Sequence, residues 1–404
     1  MEKNRESIKN ILVYALFAVV ILTLSAVLIM LVAEEMKPKT KNPGSGADTK
    51  LEKTEAQPGE PETAKTTEGV EDMTFAEPKF PEYARPKEDL QDPEGFRGDE
   101  WIIVGKNGCL YENGYINEYL GYAPKYVNVT DRELLYRVDV LKDIQDELEA
   151  RGIAFCVAIS PSKAAAMPDY IPDWYKEQNK TLADNYVRPY VRFVKMLGEA
   201  GVYFVDSSSL YRSLGLTNSF PKTGIHWNRL AAYETSVAII AEYERQTGKE
   251  TKHIKMDGVL FGKTPQASEQ DIFGIIYSGK RKEREEAIID DRYYWPDAYT
   301  SNTSKPAIKH MIMQGGSFTG DFWHYLNGFG IVSEITGYYY NNGGNVDIDW
   351  AYEVGRTEFV LLEVNEQFVY NMGGVSPAWG QNDIAILDLG ANIIDSLWEY
   401  LKNS

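Results

Sequence analysis

Cysteine and histidine are scarce in this chain of 404 residues, with two of the former, Cys109 and Cys156, and four of the latter. Two cysteines argue against a disulfide framework. Cys156 sits inside the apolar run "IAFCVAI", so both read as buried free thiols. No His, Cys or Asp group has metal-ligand spacing, and no glycine pattern follows a strand in phosphate-binding form, so no metal, nucleotide or other cofactor is expected. Positive charge is short as well. Lys and Arg number 42 against 60 Asp and Glu, and the formal net charge of −18 argues against nucleic acid and anionic lipid headgroups as partners. It leaves a neutral substrate open. A lone glycosylation sequon at Asn128 carries little weight.

Long apolar runs are also few. The clearest, Ile11 to Ala33, holds no charge, and at about 1.5 Å per residue it matches a hydrocarbon core of roughly 30 Å. It exceeds the 7–15 residues usual for a signal-peptide core and lacks a small-x-small cleavage site, so an uncleaved anchor is expected. Lys3, Arg5 and Lys9 on one side are matched by Lys37, Lys39 and Lys41 on the other, so the orientation rests mainly on the polar segment that succeeds the run. That segment is rich in Lys, Glu, Thr, Pro and Gly and cannot bury enough surface to offset its ordering entropy. The expected organisation is a cytoplasmic tail over 1–10, a transmembrane anchor over 11–33, a disordered linker over 34–97 and a folded domain over 98–404.

From about Asp99 short apolar runs alternate with amphipathic helices, the pattern of an α/β fold with a mostly parallel sheet flanked by helices. "WIIVG" at 101–105 reads as a strand. Thr130 and Glu133 form a capping box ahead of a helix with Leu134, Val138, Leu141 and Leu148 on one stripe, stopped at Gly152. Ile153 to Ser160 is a continuous apolar run, as expected of a strand buried on both faces. Helices are expected over Leu182 to Glu199 and from Arg229, and further strands in "VYFVD" ending at Asp206, in "HMIMQ" and over Glu358 to Glu366. "NIIDSLWEYLK" closes the chain as a helix, and residues 251–305 resist placement.

Ser317 follows an apolar strand at Gly315-Gly316 and precedes a helix, so its hydroxyl is expected at the carboxyl edge of the sheet, where open α/β sheets bind ligands. Backbone N–H groups at such a helix start can face a developing oxyanion. A serine there can equally be an ordinary helix cap. A serine nucleophile needs a base within about 2.6–3.2 Å, and His226, in a loop that opens a helix, is the candidate. A histidine packing beside Trp227 is the plainer alternative. His253, His310 and His324 fit the role less well.

Four blocks in order resemble the SGNH-hydrolase-like proteins of polysaccharide O-acetylation, the alginate O-acetyltransferase AlgJ/AlgX-like family. They are "VGKNGCLYENGYINEYLG", "AISPSKAAAMPDYIP", "TGIHWN" and "GGSF". The resemblance runs from about Trp101 to the C-terminus and keeps the family's order of histidine before serine. It implies a membrane-anchored, extracytoplasmic acetyltransferase in which Ser317 takes the acetyl group, His226 takes the serine proton, the backbone N–H groups of Ser317 and Gly316 hold the oxyanion, and a polysaccharide hydroxyl is the acceptor. It also implies a membrane-bound O-acyltransferase-type partner that supplies acetyl groups.

Two positions depart from the family pattern. Gly224 stands where a triad aspartate is expected, and Gly316 where many members carry an acidic residue. In serine proteases, disabling the triad aspartate lowers the rate by about 10⁴. Asp206, at the end of the preceding strand, is the first substitute, ahead of Asp321 and Asp271. A backbone carbonyl is another, and for Asp206 a turn or cap role competes. Lys163 is a candidate substrate-facing cation, with a solvated lysine as its alternative. Trp227 and Tyr111 are candidate substrate-binding rings, with Trp323 and Tyr338 to Tyr340 beside them, although aromatics also fill cores. An esterase of the same fold and a non-catalytic carbohydrate-binding subunit remain the alternative functions.

Overall fold

Apolar alternation in the strands decides how this fold is layered. The computed structural model describes residues 101–216, 219–262, 293–339, 348–371 and 391–404, all within the second of two compact units, Met73–Ser404. The expected anchor and linker lie outside the described residues. Among the described residues no helix is long and apolar enough to cross a membrane.

β1 (Ile102–Val104) pairs antiparallel with β2 (Leu110–Glu112). β3 (Ala154–Ser160) and β4 (Phe204–Asp206) come next. Within the region that the sequence left unplaced, β5 (His253–Gly262) and β6 (Tyr293–Ser301) form an antiparallel ribbon with a register shift between Met256 and Gly258. β7 (Ile308–Gly315), β8 (Val332–Tyr339) and β9 (Phe359–Asn365) complete the strands described. The main sheet has the order β4-β3-β9-β7-β8, and every pairing in it is parallel.

Parallel strands covered on both faces must be apolar on both faces. Ala154, Cys156, Ala158, Met311, Met313, Phe359 and Leu361 belong to one core. Their neighbours Phe155, Val157, Ile159, Ile312, Val360, Leu362 and Val364 belong to the other. Both cysteines are free and buried.

Helices among the described residues include α1 (Asn113–Leu120), α2 (Asp131–Ala150), α3 (Lys163–Ala166), α4 (Pro189–Ala200), α5 (Ser207–Ser213), α6 (Arg229–Thr247), α7 (Thr319–Phe322, continued by a π-helical turn over Trp323–Asn327), α8 (Trp350–Arg356) and α9 (Ala391–Asn403). α6 contributes Leu230, Tyr233 and Ile240 to the first core. α2, α4 and α9 supply Leu141, Phe193 and Leu397 to the second.

The capping box at Thr130 and Glu133 forms, each residue satisfying an N–H of the other at the start of α2. α4 begins at Pro189 and not at Leu182. Proline suits a first helical position because it has no N–H to leave unpaired, and it holds Arg188 before it in extended backbone. The topology brings the carboxyl ends of β3, β4, β7 and β9 to one edge, with Lys163, Asp206, Ser317 and Asn365 just at or beyond them.

Candidate active site

The turn that carries Ser317 is shaped by close approach. A side chain on Gly315 would bring its Cβ to 2.6 Å from Glu363 Cβ, 2.7 Å from Glu363 Oε2 and 2.8 Å from Thr319 Cγ2, so only glycine fits. The Gly316 carbonyl accepts the Thr319 N–H at 3.1 Å and the Thr319 hydroxyl at 2.6 Å. The Gly316 N–H donates to Glu363 Oε2 at 2.6 Å. Ser317 is thereby lifted out of the sheet and is exposed at the head of α7. The N–H groups of Ser317 and Phe318 have no acceptor among the described residues.

His226 comes to this turn on a loop held from below. Lys163 is fully buried, and its Nζ donates to the carbonyls of Pro221 at 2.7 Å, Lys222 at 2.8 Å and Gly224 at 2.6 Å. Three acceptor carbonyls around one nitrogen call for three protons, so Lys163 is an ammonium. Asn228 then caps α6 by accepting the Ala231 N–H at 2.9 Å.

The two segments are joined by the residue after the histidine. Trp227 is fully buried and donates its Nε1–H to Asp321 Oδ2 at 2.8 Å. Its ring meets those of Phe318 and Phe322 edge-on, with centroids 5.0 and 5.3 Å away. Asp321 also pairs with Arg229 at 2.6 Å. α6 and α7 are thus tied through one buried carboxylate. Burial pushes the Asp321 carboxyl up, opposed by Arg229, by the Trp227 bond and by the charge of His226. With the loop and helix so fixed, His226 Nε2 is hydrogen-bonded to Ser317 Oγ. The imidazole packs against Phe318, ring centroids 4.7 Å apart.

Several expectations are corrected by burial. Asp206 caps α5 through the Ser208 N–H, and its oxygens accept from Tyr190 at 2.8 and 2.9 Å and from Ser209. None of its hydrogen bonds reaches His226. Lys163 faces the loop carbonyls and not a substrate. Trp227 is core, and so is Tyr111, whose hydroxyl donates to the Met167 carbonyl at 2.5 Å. The Gly316 N–H is spent on Glu363, which removes it from the expected oxyanion pair. Asp271 and Tyr340 lie outside the described residues, and Tyr338 packs beside Trp350 with ring centroids 6.0 Å apart. The side chain of Tyr339 also lies outside the described residues, and Trp323 is substantially exposed, at 38%, on the turn that continues α7.

Sequence reasoning missed Glu363. It stands in β9 on the same parity as Phe359 and Leu361, where a core residue belongs, and it is 1% exposed. Ser160 donates its hydroxyl to Oε1, and Ser160 in turn accepts from Asn365 Nδ2 at 3.2 Å. Burial pushes the Glu363 carboxyl up, while the Ser160 and Gly316 bonds and the charge of His226 pull it down. A lone glutamate within the apolar run "FVLLEVN" was the signal. Among the described residues no group of three or more His, Cys, Asp and Glu side chains could hold a metal ion.

Comparison with known proteins adds a family context. The family model described as an SGNH hydrolase-like domain, acetyltransferase AlgX, matches residues 102–277, a stretch that includes Lys163 and His226 and stops before Ser317. The chain is similar to the probable alginate O-acetylase AlgJ of Pseudomonas aeruginosa, 27% identical over 149 residues, or 36% of this chain and 34% of that protein. The match therefore spans about a third of that relative's length. Among solved structures the chain is similar to the O-acetyltransferase domain of Pseudomonas putida AlgJ, with 14% identity, a TM-score of 0.45, and 72% of this chain and 99% of that one covered. It is also similar to Pseudomonas aeruginosa AlgX, with 13% identity, a TM-score of 0.40, and 72% and 70% covered.

Proposed function

Because the chain is AlgJ/AlgX-like and carries an SGNH hydrolase-like domain, we propose that it transfers acetyl groups to hydroxyls of a cell-surface or secreted polysaccharide through a serine acyl-enzyme. The observation that carries this reading is the hydrogen bond between Ser317 Oγ and His226 Nε2 at the carboxyl edge of a parallel sheet.

In this reading Ser317 Oγ attacks the acetyl carbonyl of a donor while His226 Nε2 accepts the hydroxyl proton. The carbonyl oxygen becomes an oxyanion beside the Ser317 and Phe318 N–H groups, which have no acceptor among the described residues to give up first. The imidazolium then returns its proton to the leaving group, and acetyl-Ser317 remains. A sugar hydroxyl reverses these steps, losing its proton to His226 as it attacks the acetyl-serine. The exposure of Ser317 suits a bulky acceptor. Trp323, exposed on the turn that continues the same helix, offers a ring for a sugar face. An anchor over 11–33 and a linker over 34–97 hold the domain outside the cytoplasm. There a membrane-bound O-acyltransferase-type partner presents the acetyl donor.

The test is to give the full chain 4-nitrophenyl acetate with and without oligosaccharides and to compare Ser317→Ala and His226→Ala. Acetylated sugar formed by the wild type and lost in both variants is the expected result. Equal turnover in the variants overturns the reading. Free acetate released in spite of abundant acceptor makes the protein an esterase instead.

A further inference from the structure

The hydrogen bond between Ser317 Oγ and His226 Nε2 joins nucleophile and base for only part of an acyl transfer. Once Ser317 is acetylated its Oγ carries no hydrogen, and once the imidazole has returned its proton to the leaving group Nε2 carries none either. Neither atom can then donate to the other. The base must still stand ready for the acceptor hydroxyl, in a site where a misplacement of about 1 Å can cost about 10²-fold. A second connection has to hold it there.

That connection runs from the residue after the base to the helix that Ser317 heads. Trp227 donates its Nε1–H to Asp321 Oδ2 at 2.8 Å, and both partners are buried. Phe318, the residue after the nucleophile, lies with its ring centroid 4.7 Å from that of His226 and 5.0 Å from that of Trp227, and Phe322 lies 5.3 Å from Trp227. None of these contacts uses Ser317 Oγ, so acetylation leaves them intact. Asp321 Oδ1 pairs with Arg229 at 2.6 Å, and Asn228 in between donates its backbone N–H to the Ser219 carbonyl at 2.8 Å. The chain that follows His226 is therefore held at three consecutive residues. Lys163 grips the loop ahead of His226, but it belongs to α3 and ties the loop to the end of β3. Asp321 ties it to the nucleophile's own helix.

We propose that Asp321 is a positioning residue for the second half of the reaction: by accepting the Trp227 N–H it keeps His226 beside acetyl-Ser317 after the bond between Ser317 and His226 has gone. Its work is that of a hydrogen-bond acceptor on the indole. The first half depends on it less, because the Ser317 hydroxyl then bonds the imidazole directly. Discharge of the acetyl group to a sugar has no such help. A buried aspartate among aromatic rings opposes burial, and this bond is the gain that accompanies it.

This inference rests on the acyl-enzyme reading, and the experiment separates the two. Formation of acetyl-enzyme by the full chain from 4-nitrophenyl acetate, and its discharge to an oligosaccharide, are timed separately in wild type, Trp227→Phe, Asp321→Asn and Asp321→Leu, each well below its Tm. Phenylalanine keeps a ring against Phe318 and Phe322 and removes only the N–H. In Trp227→Phe and Asp321→Leu the discharge should slow about tenfold or more while formation stays within about threefold, so that acetyl-enzyme accumulates. Asp321→Asn, whose amide oxygen can still accept the indole N–H, should discharge within about threefold of wild type. Trp227→Phe combined with Asp321→Leu should be no slower than the slower single variant, because both remove one bond. Trp227→Phe carries the test if Asp321→Leu does not fold. Formation and discharge slowed alike in Trp227→Phe, as general loosening would do, overturns the inference alone. So does a discharge in Asp321→Asn as slow as in Trp227→Phe, which would make charge and not acceptance the working property. If the wild type forms no Ser317-dependent acetyl-enzyme, the functional reading fails and takes this inference with it.

Discussion

Replacing Lys163 by methionine should destabilise the domain by about 3 kcal/mol and release the loop that carries His226. The three carbonyls that share the ammonium are not equally dependent on it. Lys222 O also accepts the Leu110 N–H at 2.8 Å, so it keeps a partner. Pro221 O and Gly224 O, in buried residues, lose the donor they have among the described residues. Each orphaned buried acceptor costs about 1–3 kcal/mol, and relief from burying the ammonium returns part of the sum. Methionine fills nearly the same volume, so little cavity is left. A domain with roughly 5–15 kcal/mol of stability stays folded after such a loss. Its Tm should drop by roughly 6–12 °C. Because Gly224 is two residues from His226, acetyl-enzyme formation should slow by about tenfold or more as the base loses its placement. Thermal unfolding and pre-steady-state acylation measure the two effects. An unchanged Tm refutes the clamp, and an unchanged Tm with a raised KM for the sugar acceptor restores Lys163 to the substrate-facing role expected from the sequence.

Asp321→Ala should cost about 1–3 kcal/mol in chemical denaturation, because it leaves the buried Trp227 N–H without the acceptor that Asp321 supplies; a loss under about 0.5 kcal/mol would remove Asp321 as the tie between α6 and α7. Gly315→Ala should overpack the turn by about 1–3 kcal/mol and slow acylation about tenfold, and an acylation rate equal to wild type would show that the turn tolerates a side chain. Glu118 is buried and held by Arg188 Nη2 at 2.7 Å, and the same nitrogen reaches Glu366 at 2.7 Å. Burial pushes Glu118 up to about 7 from an ordinary 4.5, the attraction of Arg188 notwithstanding. The folded chain therefore holds a proton that the unfolded chain releases. This contribution to stability is fully present below the unfolded value and is lost as pH rises through about 7, by up to about 3 kcal/mol. Glu118→Gln should abolish that part of the slope when Tm is followed from pH 4.5 to 8, and parallel curves for variant and wild type would contradict it.

Backbone features were the legible part of this molecule. Strand runs such as Ala154–Ser160 and Phe359–Asn365 are apolar on both parities because parallel strands are covered twice, so their sequence announces them. Ser317 and His226 were readable because each sits where a strand or loop hands over to a helix, and the structure brings them into contact. Side-chain direction was not readable. Lys163, Tyr111, Trp227 and Asp206 all lie near the carboxyl edge of the sheet, as their positions in the chain imply, but their side chains turn inward and work on the scaffold. The three carbonyls awaiting Lys163 come from a loop about sixty residues away, a meeting that no local pattern encodes. The start of α4 was misplaced because Pro189 marks a helix entry that the apolar pattern from Leu182 obscured. Glu363 was visible as a letter within an apolar run, but its meaning came only when β9 was laid beside β7, opposite the glycines of the serine turn.

If Ser317 becomes acetylated with His226 as its base, the acetyl group itself can be caught. Peptide mapping of the full chain, quenched with acid during turnover of 4-nitrophenyl acetate, looks for it. The expected result is one acetyl group on Ser317, absent in His226→Ala and discharged when an oligosaccharide acceptor is added. Acetylation that falls on other residues, or that persists on Ser317 at the wild-type rate without His226, would contradict the proposed chemistry.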